Sequence, residues 1–445
     1  MSDRYWLERA WLGDRLEDGV LVTVEDGRFS SVEPGVATPA EAVRLAGLTL
    51  PGLANCHSHA FHRALRGRTQ VRGTFWSWRE RMYDLAGRLT PDTLFELARA
   101  TYREMAAAGI TTVGEFHYLH HDRDGRRHAE ANATGLALVD AAREAGIRIA
   151  LLDTCYLASG IGAPPEGVQR RFSDGTAEIW AERAESLASA VARRPDASAV
   201  VVGAAIHSVR AVPREALPTV ASWATGREAP LHVHVSEQVG ENEATRAAYG
   251  CTPTELLADA GALGPLTTAV HATHLTDRDV ALLGSSATTV CACPTTERDL
   301  GDGVGPFRRL RDAGAPLSVG SDSHAVVDPF EELRAVELDE RLVSQERGHW
   351  AAEELAAAAT YDGHRSLGFA DAGRIEVGAR ADLVTLDTAS PRTAGTGATL
   401  GTVVFAASAA DVTHVVVDGR VVSTGDSAEV GRELDRIVTR LWEDR

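Results

Sequence analysis

Residues 51–59 read Pro51-Gly52-Leu53-Ala54-Asn55-Cys56-His57-Ser58-His59. A short apolar segment of strand length ends here on two histidines spaced two apart. A doubly wound nucleotide-binding sheet, the alternative α/β architecture, would need a glycine-rich loop after such an early strand, and Leu53-Ala54-Asn55-Cys56-His57 is not one. Apolar strand candidates recur near 48–55, 110–116, 148–156, 200–207, 230–237, 267–275, 288–294 and 316–322. Most are separated by stretches with helical periodicity, such as 91–107, 176–193 and 328–346. Eight strands alternating with helices are the pattern of a (β/α)8 TIM barrel, and residues 49–372 are its expected extent.

The flanks differ in texture. Gly19-Val20-Leu21-Val22-Thr23-Val24 followed by Glu25-Asp26-Gly27 is a hairpin signal, and Ala381–Asp387 and His414–Val421 read as strands too. Residues 1–48 and 373–445 are therefore expected to pair into a small β-sandwich domain built from both termini, with 388–402 as a surface loop rich in Gly, Thr, Ser and Ala.

Barrel active sites sit at the C-terminal ends of the strands. Those ends carry His57-Ser58-His59, Glu115-Phe116-His117-Tyr118, His207-Ser208-Val209-Arg210, His232-Val233-His234-Val235-Ser236-Glu237, His271-Ala272-Thr273-His274 and Gly320-Ser321-Asp322-Ser323-His324. One histidine on an apolar strand is ordinarily a satisfied core residue, but histidine or carboxylate at most of the strand ends points to a shared site. His57 and His59 can both turn toward one metal ion. Strand alternation puts His232 and His234 on one face, with His234 nearer the strand end as the ligand and His232 deeper. Asp322 is the carboxylate best placed to hold a metal and accept a proton from its water. Imidazoles plus one carboxylate, with a position left for water, make a catalytic zinc site.

Composition narrows the chemistry. All 45 cationic side chains are arginine, and there is no lysine. Schiff-base enzymes, Walker A loops and metal pairs bridged by a carboxylated lysine are excluded. The formal charge of −18 argues against nucleic acid or an anionic membrane surface as partner. An anionic ligand must meet a local arginine cluster. Five cysteines without framework spacing fit a reduced cytoplasm, and Cys291 and Cys293 read as buried strand residues and not as half of a zinc site. No apolar run approaches membrane-spanning length, and Met1–Trp6 lacks a signal-peptide pattern.

The 51–59 string, the His-x-His-x-x-Glu of strand five, His271 and Gly320-Ser321-Asp322 resemble the amidohydrolase superfamily, and within it the mononuclear hydrolytic deaminases. The resemblance implies one divalent metal, zinc by expectation, on His57, His59, His234 and Asp322, lowering the pKa of its water to about 7. It implies Glu237 as proton shuttle to the leaving nitrogen, His271 as the group that orients or polarises the attacked centre, and Asp322 as an aid to deprotonation.

Longer strings narrow it further. His57–Phe61, Phe75-Trp76-Ser77-Trp78-Arg79-Glu80-Arg81-Met82-Tyr83, Glu115–His121, His207–Val212 and Thr295–Gly303 resemble the formimidoylglutamate deiminases of histidine degradation. The implied reaction converts N-formimidoyl-L-glutamate and water to N-formyl-L-glutamate and ammonia. A dicarboxylate substrate wants guanidinium forks and hydroxyl donors. Arg79 in an aromatic-rich loop, Tyr118, His207 and Arg210 resemble the substrate-binding positions. His62 stands where the resemblance has glutamine, and it is placed against the substrate. His120, His121 and His128 read as surface-loop residues. Related enzymes are often dimers, so a homodimer is the expected assembly. The rival readings are a related deaminase acting on a purine, pterin or guanidino compound, and a metal-free barrel that has lost catalysis.

Overall fold

The structure is a computed structural model that describes residues 3–443 apart from 71, 74 and 426. Eight parallel strands form its centre: β1 (Leu53–Ser58), β2 (Ile110–His117), β3 (Arg148–Cys155), β4 (Val200–Ile206), β5 (Leu231–Val235), β6 (Thr267–His271), β7 (Thr289–Ala292) and β8 (Leu317–Val319). Each strand pairs with its sequence neighbour. The barrel closes just beyond β8, where Ser58 bridges Asp322, Asp322 N–H donates to His57 O at 2.9 Å and His59 N–H donates to Asp322 O at 3.3 Å. The closing bonds thus run through residues expected to hold the metal. β2 and β3 are buried along their whole length, as strands covered on both faces must be.

Helices pack around this centre, and their ends are signalled locally. Thr90 caps the helix Pro91–Ala107 by accepting from Thr93 N–H, with Pro91 in the first turn. Gly146, at φ +80°, ends Ala133–Ala145. Helices Ala177–Ala192 and Pro329–Ser344 fall where the periodicity puts them.

A second, mixed sheet of seven strands comes from both termini. In spatial order it runs Arg420–Ser423, Val412–Val417, Leu383–Leu386, Val43–Pro51, Asp3–Trp11, Leu16–Glu25, Arg28–Glu33. Val43–Pro51 is the seam, parallel to Asp3–Trp11 and antiparallel to Leu383–Leu386. The sheet curls until its two ends meet. Tyr5 Oη donates to Gly419 O at 3.0 Å, and Leu7, Val22, Phe29, Leu45, Leu383 and Val416 share one core.

Three local readings change. The apolar run 48–55 is two strands of two sheets, because the chain turns at Gly52. A Cβ there would meet Thr111 Oγ1 at 2.4 Å and Asp382 Cβ at 2.7 Å. The β segment 373–445 ends in a helix, Ala428–Glu443, which leaves the sheet and packs on Pro91–Ala107 through Glu433 pairs with Arg99 and Arg103 at 2.7 and 2.6 Å. The loop after residue 388 runs into a short helix, Leu400–Phe405. Among the described residues no helix is long and apolar enough to cross a membrane.

Candidate active site

His57, His59, His234 and Asp322 each offer one ligand atom, and these atoms lie within 4.8 Å of one another, all buried. His57 Nε2 is 3.0 Å from His234 Nε2 and 3.3 Å from Asp322 Oδ1, and His59 Nε2 is 3.3 Å from that same oxygen. These separations match the edge of a tetrahedron with bonds of about 2.0–2.1 Å, roughly 3.3 Å.

The outer ring nitrogens decide the tautomers. His59 Nδ1 is 2.9 Å from Phe116 O, and His234 Nδ1 is 2.7 Å from His207 O. A carbonyl only accepts, so both Nδ1 atoms carry hydrogen and both Nε2 lone pairs face inward. Burial lowers the basicity of all three histidines, so they are neutral imidazoles, the form that binds metal. Lone pairs and a carboxylate oxygen converging in a buried place repel one another unless a cation lies among them. The donor set therefore fits a divalent metal.

Next to it, His271 Nε2 lies 3.8 Å from Asp322 Oδ2 and 3.9 Å from Glu237 Oε1. Its Nδ1 is 3.2 Å from Glu297 Oε1. Burial opposes a charge on His271, but Glu237, Glu297 and Asp322 outweigh it and hold the imidazole well above its usual range. Burial pushes the Glu237 carboxyl up, with His271 pulling the other way. His271 and Asp322 hold φ of +67° and +40°, and Ser236 between His234 and Glu237 holds +52°. Non-glycine residues in this region cost about 1–3 kcal/mol each and gather where geometry serves function.

His59, His234, Glu237, His271 and Asp322 open on one cavity, which His62, Arg79, Tyr118, His207 and Arg210 also line. His62 Nε2 is 3.0 Å from Tyr118 Oη. Arg79 stands on the helix Phe75–Arg88 and not on a loop, because the aromatic string carries helical spacing, with Arg79 Cζ 5.4 Å from the Tyr83 ring one turn on. Arg210 Nε is 3.8 Å from Glu241 Oε1, and both residues are well buried.

His232 lies apart from the cluster, buried, with Nε2 3.2 Å from Ser366 O. His324 is spent on Ser58 Oγ and Ser321 Oγ, each at 3.1 Å. His120 and His121 are not surface residues. Both are buried, their N–H groups donate to Arg171 O, and His121 Nε2 lies 3.2 Å from Asp174 Oδ1. His128 is half-buried. Cys291 is buried in β7 and Cys293 just beyond it.

Two carboxylates take supporting roles that their sequence context did not assign. Glu297, in the helix after β7, accepts Cys293 N–H at 2.9 Å while facing His271 Nδ1, so it orients that ring. Glu115 accepts from Ser58 Oγ at 2.6 Å and Ala60 N–H at 2.7 Å, bracketing His59, and burial raises its carboxyl to about 7. Its position near the end of β2 was the available signal for Glu115, whereas Glu297 lies on a helix and shows its role only through His271.

Residues 48–422 match the family model described as the amidohydrolase family. The chain is similar to a formimidoylglutamate deiminase of Pseudomonas aeruginosa, 37% identical over 434 residues and 94% of each chain. It is also similar to a 5-methylthioadenosine/S-adenosylhomocysteine deaminase of Moorella thermoacetica, 27% identical over 94% of each. Among solved structures, an amidohydrolase from Brucella melitensis superposes with a TM-score of 0.91 at 32% identity, over 99% of this chain and 100% of that one. With its barrel, its strand-end histidines and these likenesses along nearly its whole length, the chain belongs to the amidohydrolase family.

Proposed function

We propose that the chain is a metal-dependent hydrolytic deiminase that converts N-formimidoyl-L-glutamate and water to N-formyl-L-glutamate and ammonia, a step of histidine degradation. The observation that carries this reading is one cavity with a metal-donor set and buried Glu237 on its wall, and two arginines on the same wall in a chain of charge −18. The likeness to the Pseudomonas enzyme supports the substrate.

One divalent cation, zinc by its His3Asp donor set, would be held by His57, His59, His234 and Asp322 and would supply Lewis acidity and a water that ionises near neutral pH. Glu237 takes a proton from the attacking water and returns it to the amidine nitrogen that leaves as ammonia. Asp322 assists the same deprotonation. His271, tied to Glu297 through Nδ1, presents Nε2 to the developing tetrahedral centre. Arg79, Arg210, Tyr118 and His207 receive the carboxylates, and His62 acts through Tyr118 Oη.

Ammonia release from N-formimidoyl-L-glutamate, compared with guanine and adenosine, tests the reading. Turnover of the first compound alone is expected, and its absence would overturn the assignment. Chelation should abolish activity, and one equivalent of zinc should restore it; full activity in metal-free protein would exclude the metal role. Arg210→Met should raise KM by about 10- to 100-fold with little change in kcat, since a charge-assisted bond to a carboxylate is lost. An unchanged KM would remove Arg210 from the binding set.

A further inference from the structure

Gln169 sits behind the cavity wall on the 3-10 helix Gly167–Phe172 and is buried. Its Nε2 lies 2.9 Å from Tyr83 Oη and 2.9 Å from Tyr156 Oη. Its Oε1 accepts the backbone N–H of Glu166 at 3.0 Å. A backbone N–H can only donate, so the amide oxygen must face Glu166 and the amide nitrogen must face the two phenols. Each amide hydrogen is then donated to one phenol oxygen. Both tyrosines accept from Gln169, their hydroxyls also interact with each other, and what the pair can turn toward an anionic ligand is hydrogens.

Both rings line the cavity. Phe172 packs against both, with centroids 6.1 and 5.4 Å away. Arg79 Cζ lies 5.4 Å from the Tyr83 ring. From the metal-donor set the path runs His234 to His207 at 5.2 Å between centroids, then His207 to Tyr156 at 4.7 Å. The phenols thus stand beyond His207, at the end remote from the reacting centre. Burial pushes the Tyr156 phenol well up, so it keeps its hydrogen.

We propose that Tyr83 and Tyr156 donate their hydroxyl hydrogens to the side-chain carboxylate of the substrate, and that Gln169 is the positioning residue that fixes their polarity. This rests on the functional reading above. An anion between two hydroxyl donors and a guanidinium has all its strong lone pairs met, whereas an apolar terminus there leaves those donors unpaired. The pair is therefore a specificity element for a side chain ending in an anion.

The test compares kcat/KM for N-formimidoyl-L-glutamate and N-formimidoyl-L-norvaline, whose side chain ends in a methyl group. In the Tyr83→Phe/Tyr156→Phe double variant the ratio should fall about tenfold or more, carried by KM for the first substrate, with kcat and the second substrate within about twofold. Gln169→Glu keeps the acceptor for Glu166 N–H but presents oxygen to the phenols and turns their hydrogens away from the cavity. It should lower the ratio at least as far, at a melting temperature that shows a folded protein. A purely structural role would depress both substrates together and leave the ratio unchanged, which overturns the proposal. No ammonia from N-formimidoyl-L-glutamate with the unaltered enzyme would instead defeat the functional reading.

Discussion

Glu237→Gln is expected to lower kcat by about 10²–10⁴-fold while metal content and KM stay near those of the unaltered protein. The replacement keeps size and hydrogen-bonding capacity and removes only the ability to take and return a proton. Glu237 is not in the converging donor set, which explains the retained metal. It is also not one of the guanidinium or hydroxyl groups that meet the carboxylates, which explains the retained KM. The neighbouring carboxylates have other partners. Asp322 Oδ1 is turned to His57 and His59, and Glu297 is occupied by His271 Nδ1 and Cys293 N–H. Single-turnover rates with metal analysis of the same sample check this. Loss of metal in parallel with rate would reassign Glu237 to the donor set, and a rate within tenfold would remove it as the proton carrier.

The barrel was legible because its signals are local. Strand length, burial on both faces and helical spacing between strands are properties of neighbouring residues, and the histidines at strand ends follow from direction along the chain. Legibility fails where two distant segments decide the outcome. Gly52 splits one apolar run between two sheets only because Thr111 and Asp382 crowd it. Gln169 belongs to no strand end, and its role exists only once Tyr83 and Tyr156, 86 and 13 residues away, reach it. His120 and His121 stand in a run of polar residues that looks like a solvated loop, yet Arg171 O pins their backbone and Asp174 receives His121. Polarity in that run marks a buried ionic network, and only the partners reveal it.

That network carries the second large expectation: Arg183→Met should destabilise the fold by about 3–5 kcal/mol at neutral pH. Arg183 donates to both oxygens of Asp153 at 2.7 and 2.8 Å and, through Nε, to Asp174 at 3.0 Å. The side chains of Arg183, Asp153 and Asp174 are 4%, 0% and 1% exposed, so solvent cannot replace the guanidinium. Trp180 Nε1 donates to Asp153 Oδ1 at 2.8 Å, but the two buried carboxylates would be left with histidine neighbours and no guanidinium, His121 at 3.2 Å from Asp174 among them. Methionine fills the space and supplies no charge, and an unpaired buried carboxylate costs far more than the pair ever contributed. The sign of the pH dependence follows. Burial opposes the charge on Asp174, but hydrogen bonds and charge from His121, His120 and Arg183 hold its carboxyl far below the usual range. Its contribution is complete above the unfolded value of about 3.9 and is lost as pH falls toward the depressed folded value. The gap between Arg183→Met and the unaltered protein should therefore be widest near pH 7 and narrow as pH falls through 4, measured by urea unfolding at both pH values. Adding Asp153→Asn to Arg183→Met should recover part of the loss, because it removes one of the stranded charges. A gap under about 1 kcal/mol at pH 7, or one that widens on acidification, would show that the network does not bear on stability in this way.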